Sequence, residues 1–342
     1  MNIVFRVDSS SQMGTGHLMR CLTLADKLKQ RGRDIFFVCR DLEGNLISLI
    51  KYPKYILSKN NNFNSDDLYL NWLGATQEQD AEQTINAVSE GIDILLVDSY
   101  SLGKEWHKQL RPYTEKIMVI DDLADRQFDC DILLNQNLGI HKRDYIGKVP
   151  NDCELLLGCN YALLRPEFAE LRVQALEKRQ NTTEINNILI SMGGSDINNI
   201  TYDILQKLDD KFNVIAVLGS SSPHNKMIKN YAKGKNIKVL VNVNNMSELM
   251  LETDLAIGAG GSTSWERCCL GLPVLLYILS ENQREIVENL EQFGAAKIVN
   301  NLRDNLQVVM ADFDLWRAMS NKSKNICDGL GADRIESYLG NL

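Results

Sequence analysis

The chain opens Met1-Asn2-Ile3-Val4-Phe5-Arg6-Val7-Asp8-Ser9-Ser10-Ser11-Gln12-Met13-Gly14-Thr15-Gly16-His17. The β-branched and aromatic run over 3–7 predicts a strand. It stops at Asp8, passes through a loop carrying Gly14 and Gly16, and gives way to a different period. Leu18, Cys21, Leu22, Ala25 and Leu28 recur at the 3, 4, 7 spacing of a helix with one face on a sheet. A strand that runs through a glycine loop into such a helix is the opening unit of a parallel α/β sheet.

The alternation continues outward from that unit. Strands are predicted at 35–39, 92–97, 117–120, 132–134 and 155–157. It breaks after Arg165, where Glu167, Glu170, Arg172, Glu177, Lys178, Arg179, Gln180 and Asn181 leave only a weak helical face. It restarts at 188–191 and recurs at 214–218, 239–241, 255–257 and 274–277. A length of 342 residues suits two domains. The pattern predicts a first α/β domain over 1–165, a linker over 166–186, a second domain over 187–311 and a helical tail over 312–342. Two βα domains of similar size with a cleft between them is the expected organisation.

Composition narrows the function classes. A 44% hydrophobic and 24% charged chain is that of an ordinary globular protein. A net charge of −8 without a basic block argues against a nucleic-acid partner. No apolar run reaches the ~20 residues that span a bilayer, and Arg6 and Asp8 interrupt what would be the core of a secretory leader. We expect a cytoplasmic monomer with no stable membrane association. Eight cysteines with no CxxC pair read as small core residues. The pairs Asp129/Asp131 and Asp312/Asp314 have the spacing of some metal sites, but one introduces a strand and the other a helix. Neither metal nor cofactor is expected.

Three glycine loops each follow a strand and open a helix: Gly14-Thr15-Gly16, Gly193-Gly194-Ser195-Asp196 and Gly258-Ala259-Gly260-Gly261-Ser262-Thr263-Ser264. Glycine lets backbone amides approach an anion, and a helix start adds unpaired N–H groups and a partial positive charge. That combination binds phosphate without lysine. The first loop is neither a P-loop nor a GxGxxG fingerprint, and one such loop alone specifies only a connection. Three of them point to a nucleotide diphosphate, because ligands of open α/β sheets sit at the carboxyl ends of strands. Glu266, about a turn into the helix after the third loop, has the reach for ribose hydroxyls. A carboxylate there also stabilises a bare helix by ~0.3–1 kcal/mol, so residue type leaves both readings open.

His17, at a helix start between this loop and the helix, is the candidate general base. His107, His141 and His224 lie in polar stretches and are expected at the surface. Asp98-Ser99-Tyr100 ends the apolar run 92–97, where polar residues face a ligand crevice. Glu281-Asn282-Gln283 opens another helix, with amides suited to gripping a sugar hydroxyl or a water.

Assembled, these residues resemble a known family. The matching stretches are Asp8-Ser9, Gly14-Thr15-Gly16-His17, Met19-Arg20-Cys21, Val97-Asp98-Ser99-Tyr100, Ile120-Asp121-Asp122-Leu123-Ala124 and Leu163-Leu164-Arg165-Pro166-Glu167-Phe168. Further on they are Ser191-Met192-Gly193-Gly194-Ser195-Asp196, Gly258 to Arg267 and Glu281-Asn282-Gln283. The family is the UDP-2,4-diacetamido-2,4,6-trideoxy-β-L-altropyranose hydrolases of pseudaminic acid biosynthesis, relatives of the UDP-GlcNAc transferase that makes the lipid II glycan. The resemblance implies a GT-B fold of two Rossmann-like domains with UDP held mainly by the second. It implies metal-independent hydrolysis, with water attacking the anomeric carbon and UDP leaving with inversion. It assigns His17 as base, Tyr100 and Asn282 to the water or sugar, and Ser262, Thr263 and Glu266 to UDP. Asp8, Gly14, Gly16, Arg20, Asp98, Arg165, Gly194, Gly261 and Gln283 complete the expected substrate-binding set. The competing readings are a GT-B glycosyltransferase with the same nucleotide site and a non-catalytic UDP-sugar binding protein.

Overall fold

The structure is a computed structural model that describes residues 1–60, 63–88, 91–194 and 196–341, apart from the side chain of Asn282. The chain divides into two compact units, Met1–Leu163 with Gly331–Leu342 and Leu164–Leu330.

In the first unit β1 (Asn2–Val7) leads into α1 (Gly16–Gln30), followed by β2 (Asp34–Arg40) and β3 (Lys54–Leu57). Then come α2 (Leu68–Leu73), α3 (Gln77–Ala87), β4 (Ile92–Asp98) and α4 (Lys104–Leu110). The strands β5 (Thr114–Ile120), β6 (Ile132–Asn135) and β7 (Glu154–Leu157) complete it. All seven strands are parallel, in the order β3-β2-β1-β4-β5-β6-β7. Both faces of the sheet are covered, which is why β1 is apolar at consecutive positions rather than alternate ones. Ile3, Phe5 and Val7 pack with Leu18, Cys21, Leu24 and Leu28 of α1, whereas Val4 packs on the opposite face with Ala81 and Trp106.

The second unit begins with α5 (Pro166–Asn181), β8 (Asn187–Ser191), α6 (Ile200–Leu205) and β9 (Asn213–Leu218). It continues through α7 (Asn225–Tyr231), β10 (Ile237–Val241), α8 (Met246–Glu252) and β11 (Leu255–Ala259). After these come α9 (Thr263–Cys269), β12 (Val274–Tyr277), α10 (Glu281–Phe293), β13 (Ala296–Ile298), α11 (Leu302–Ala311) and α12 (Phe313–Ser323). Its six parallel strands run β10-β9-β8-β11-β12-β13. The order reverses direction between β1 and β4 in one sheet and between β8 and β11 in the other. Loops diverge at such points and leave the carboxyl ends of the two strands open to a ligand.

Two of the predicted boundaries are corrected. Residues 166–181 are not a linker but helix α5, packed within the second unit. Its arginines looked solvated because their partners are backbone carbonyls, which no sequence pattern reveals. Arg172 donates to the carbonyls of Cys327 (3.0 Å) and Lys324 (2.6 Å), and Arg179, 3% exposed, donates to that of Met250 (2.6 Å) at the end of α8. The tail 312–342 is likewise not one piece. α12 buries Trp316 and Met319 in the second unit's core, while α13 (Gly331–Leu339) returns to the first unit and buries Ala332, Ile335 and Leu339 against α1. β3 and β13 are strands the sequence pattern did not show; β3, at the sheet edge, exposes Tyr55 and Ile56 and so lacks a buried run. Among the described residues no helix is long and apolar enough to cross a membrane.

Candidate active site

In the first unit the loop after β1 is closed on itself. The Gly14 amide donates to the Ser10 carbonyl (2.9 Å), and the Ser10 hydroxyl accepts from the Gln12 and Met13 amides at 3.2 and 3.1 Å. Gly14 holds φ at +82°, a conformation that side chains with a Cβ resist, so the turn into α1 depends on that residue. Gly16 then starts α1, and among the described residues no side chain caps its first turn. His17 and Arg20, one turn apart, both face the end of β4.

There they meet Asp98, which is 1% exposed. His17 Nδ1 lies 2.6 Å from Asp98 Oδ1. Arg20 grips the same carboxylate from the other side, Nε to Oδ2 at 2.6 Å and Nη2 to Oδ1 at 2.7 Å. Burial by itself would raise the Asp98 carboxyl, but the Arg20 guanidinium and then His17 outweigh it and hold it well below the usual carboxylate range. An ionised carboxylate only accepts, so Nδ1 is the nitrogen that donates to it, and Nε2 is the one turned away from Asp98. Tyr100 stands edge-on to the imidazole, ring centroids 4.5 Å apart, and its hydroxyl donates to Asp122 Oδ2 at 3.2 Å. Burial, then Asp122, pushes the Tyr100 phenol far above its ordinary value, so it remains a protonated donor.

Four predicted residues, His17, Arg20, Asp98 and Tyr100, are thus brought together. Asp8 is not among them. It is 3% exposed, its Oδ1 accepts from the Arg40 amide (2.6 Å) and pairs with Arg6 Nη1 (2.7 Å), and Arg6 in turn pairs with buried Asp80 of α3. This network fastens the end of β1 to β2 and α3. Asp122 was missed as a site residue, although it carries the signal that found Asp98, a carboxylate just beyond an apolar strand. Tyr69 of α2, packed on Tyr100 with centroids 5.3 Å apart, had no sequence signal because α2 is short and its surroundings polar. His107, expected at the surface, is fully buried between Trp106 and Phe128, and its Nδ1 accepts from the Asp129 amide.

In the second unit the predicted residues gather at the carboxyl edge of the sheet. Gly194 follows β8, and its carbonyl accepts from the Ser221 hydroxyl (2.8 Å). The loop after β9 presses so closely on Gly194 that a Cβ at Gly219 would overlap its backbone. Gly261 and Ser262 follow β11, with Ser262 exposed and Thr263 half-buried at the start of α9. Arg267, 2% exposed, braces this turn from beneath, donating to the Ala259 carbonyl (2.7 Å) and the Ser264 hydroxyl (3.2 Å). Glu266 lies 3.7 Å from Arg165, which also pairs with Glu167 (2.9 Å) and donates to the Asn244 carbonyl (3.1 Å). Burial pushes the Glu266 carboxyl up to about 7 against the pull of Arg165 and Arg267, while an 18% exposed side chain leaves it open to solvent. Gln283 on α10 turns its side-chain oxygen to the Leu279 amide (3.3 Å). The predicted catalytic side chain of Asn282, and Ser195, lie outside the described residues.

Known proteins share this architecture. Residues 187–308 match the glycosyltransferase family 28 C-terminal domain. A crystal structure of Acinetobacter baumannii MurG superposes with a TM-score of 0.66 at 12% identity, covering 100% of this chain and 99% of that one, which shows the GT-B fold. The spore coat polysaccharide biosynthesis protein SpsG of Bacillus subtilis is 25% identical, over 100% of this chain and 98% of its own. A Campylobacter jejuni protein, UDP-2,4-diacetamido-2,4,6-trideoxy-β-L-altropyranose hydrolase, is 34% identical over 265 residues, 77% of this chain and 86% of its own. On that identity and coverage, the chain belongs to the family of the UDP-2,4-diacetamido-2,4,6-trideoxy-β-L-altropyranose hydrolases.

Proposed function

We propose that the protein hydrolyses a UDP-linked 2,4-diacetamido-2,4,6-trideoxyhexose, in the altro series of its family, to UDP and the free sugar, as a step in nonulosonic acid synthesis. The observation that carries the reading is His17 held by Asp98 through Nδ1, which leaves Nε2 as the nitrogen to serve as base. Water gives its proton to Nε2 and its oxygen bonds to the anomeric carbon. The bond from that carbon to the β-phosphate oxygen breaks, and the electron pair leaves with UDP, inverting the centre. We assign Tyr100, a fixed hydroxyl beside the imidazole, to the water and sugar, and keep for Asn282 the same role that the family resemblance implies.

The second unit takes the nucleotide. The turn at Gly260, Gly261, Ser262 and Thr263 receives the diphosphate, and Gly194 lets the chain after β8 come close to it. Backbone dipoles fixed before the reaction stabilise the charge that develops on the departing phosphate, about 2.7–4 kcal/mol for a well-placed donor. Glu266 accepts from the ribose hydroxyls, with Arg165 as its partner in the free protein. All eight cysteines are free thiols, which suits a reducing compartment, and we place the enzyme in the cytoplasm as a monomer.

The test is incubation with the UDP-sugar and no acceptor, following UDP release and the anomeric proton by NMR. Free sugar appearing mole for mole with UDP, first in the inverted configuration, is the expected result. UDP release only on addition of an acceptor makes the protein a transferase, and tight UDP binding with no turnover makes it a binding protein.

A further inference from the structure

Building on the hydrolase reading, we infer that Arg20, expected from sequence to contact substrate, is a positioning residue that sets His17 and Tyr100 together through the two carboxylates they rest on. Its guanidinium is 6% exposed. Nε and Nη2 form a two-pronged grip on Asp98 at 2.6 and 2.7 Å, and Nη1 reaches Asp122 Oδ1 at 2.8 Å. Each carboxylate carries one functional group on its remaining capacity. Asp98 Oδ1 accepts from His17 at 2.6 Å and Asp122 Oδ2 accepts from Tyr100 at 3.2 Å. The base on α1, the tyrosine after β4 and the aspartate after β5 are therefore referenced to one planar cation. A guanidinium has the planar fork that grips one carboxylate with two parallel bonds and still reaches a second; an ammonium has three donors on one nitrogen and no such fork.

The same cation balances charge at the base. Asp98 and Tyr100 at the end of β4 and Arg20 on its own helix contact His17; Cys21 donates to Asp98, Asp122 beyond β5 pairs with Arg20, and Tyr69 of α2 packs behind Tyr100. Asp98 places a buried negative charge 2.6 Å from Nδ1. Arg20 Nη2, 3.1 Å from His17 Nδ1, opposes it. Asp98 thus orients the imidazole, and Arg20 offsets the carboxylate's charge beside it.

Steady-state kinetics and the pH profile of Arg20→Lys and Arg20→Gln, beside the unsubstituted enzyme, test this, with near-UV circular dichroism as the folding control. Arg20→Lys keeps the charge but loses the fork; its kcat should fall by about 10²-fold with KM unchanged and the acid limb of kcat/KM in place. Arg20→Gln should lose kcat similarly and move that limb to higher pH. A rise in KM with kcat retained in Arg20→Lys would make Arg20 a substrate ligand and overturn the inference. If Arg20→Gln does not fold, Asp122→Ala carries the test: it leaves the Arg20–Asp98 grip intact, removes the acceptor of the Tyr100 hydroxyl, and should lower kcat at constant KM, whereas native kinetics would overturn the role. An NMR titration of the His17 ring, which needs no substrate, separates this from the hydrolase reading. If the unsubstituted protein releases no sugar, that reading fails. An upward-shifted titration in Arg20→Gln but not in Arg20→Lys still supports the role of Arg20, and unchanged titrations in both overturn it.

Discussion

An imidazole accepts a proton from water only at a nitrogen with a lone pair in the right direction, and at His17 that direction is imposed by Asp98. Replacing His17 with leucine removes the base but touches no group that grips the nucleotide. Turnover should drop by about 10²–10⁴-fold while UDP affinity, read by calorimetry, stays at the native value; near-native turnover would remove the base assignment. Glu266 offers a second residue-level measurement. Burial raises its carboxyl to about 7, so it is largely neutral at pH 6 and largely ionised at pH 8. Ribose hydroxyls donate better to the ionised form. UDP affinity should therefore rise about tenfold between pH 6 and 8, and Glu266→Gln should flatten that rise. Equal pH dependence in the two proteins would take Glu266 out of the nucleotide site.

At the scale of elements, His107 shows a helix held down by a buried imidazole. α4 lays Trp106 and His107 on the sheet, and burial, followed by Arg126 and Arg111, drives the His107 imidazole down to about 3. Between about 3 and its ordinary value of 6.5 the unfolded chain binds a proton that the folded one refuses. Stability therefore falls as pH falls through that window, by about 2 kcal/mol from pH 7 to pH 5. The urea midpoint of the native protein should drop over that interval more steeply than that of His107→Leu, whose own stability is lower at pH 7 because the Asp129 amide loses its acceptor. Parallel slopes would mean that His107 is not the group responsible.

The molecule as a whole is a chain that leaves the first unit after Leu163 and returns after Leu330. α13 is the returning piece, and its Ile335 and Leu339 are fully buried on α1. Removing residues 331–342 exposes that patch of the first unit's core, a loss of about 3–6 kcal/mol for the two large side chains. Chemical denaturation should show the first unit melting earlier while UDP binding by the second is retained. An unchanged unfolding curve would show that α13 is dispensable.

Two parallel sheets, the carboxyl ends of all their strands but β3 and β13 to within two residues, and the three glycine turns were legible in the sequence by itself, because period and residue type are local properties. A buried parallel strand must be apolar on both faces, and a turn such as that at Gly14 must admit a positive φ wherever it occurs. Only the tertiary structure decided which charges serve which purpose. Arg20, Arg172 and Arg179 are the same residue type in helices, yet one grips two carboxylates beside His17 and the others tie helix ends together. Asp8 and Asp98 both follow buried strands, yet one fastens the sheet and the other orients His17. The reason is that a charge is defined by its partner, and apart from Arg6 beside Asp8 these partners lie between 32 and 155 residues away along the chain.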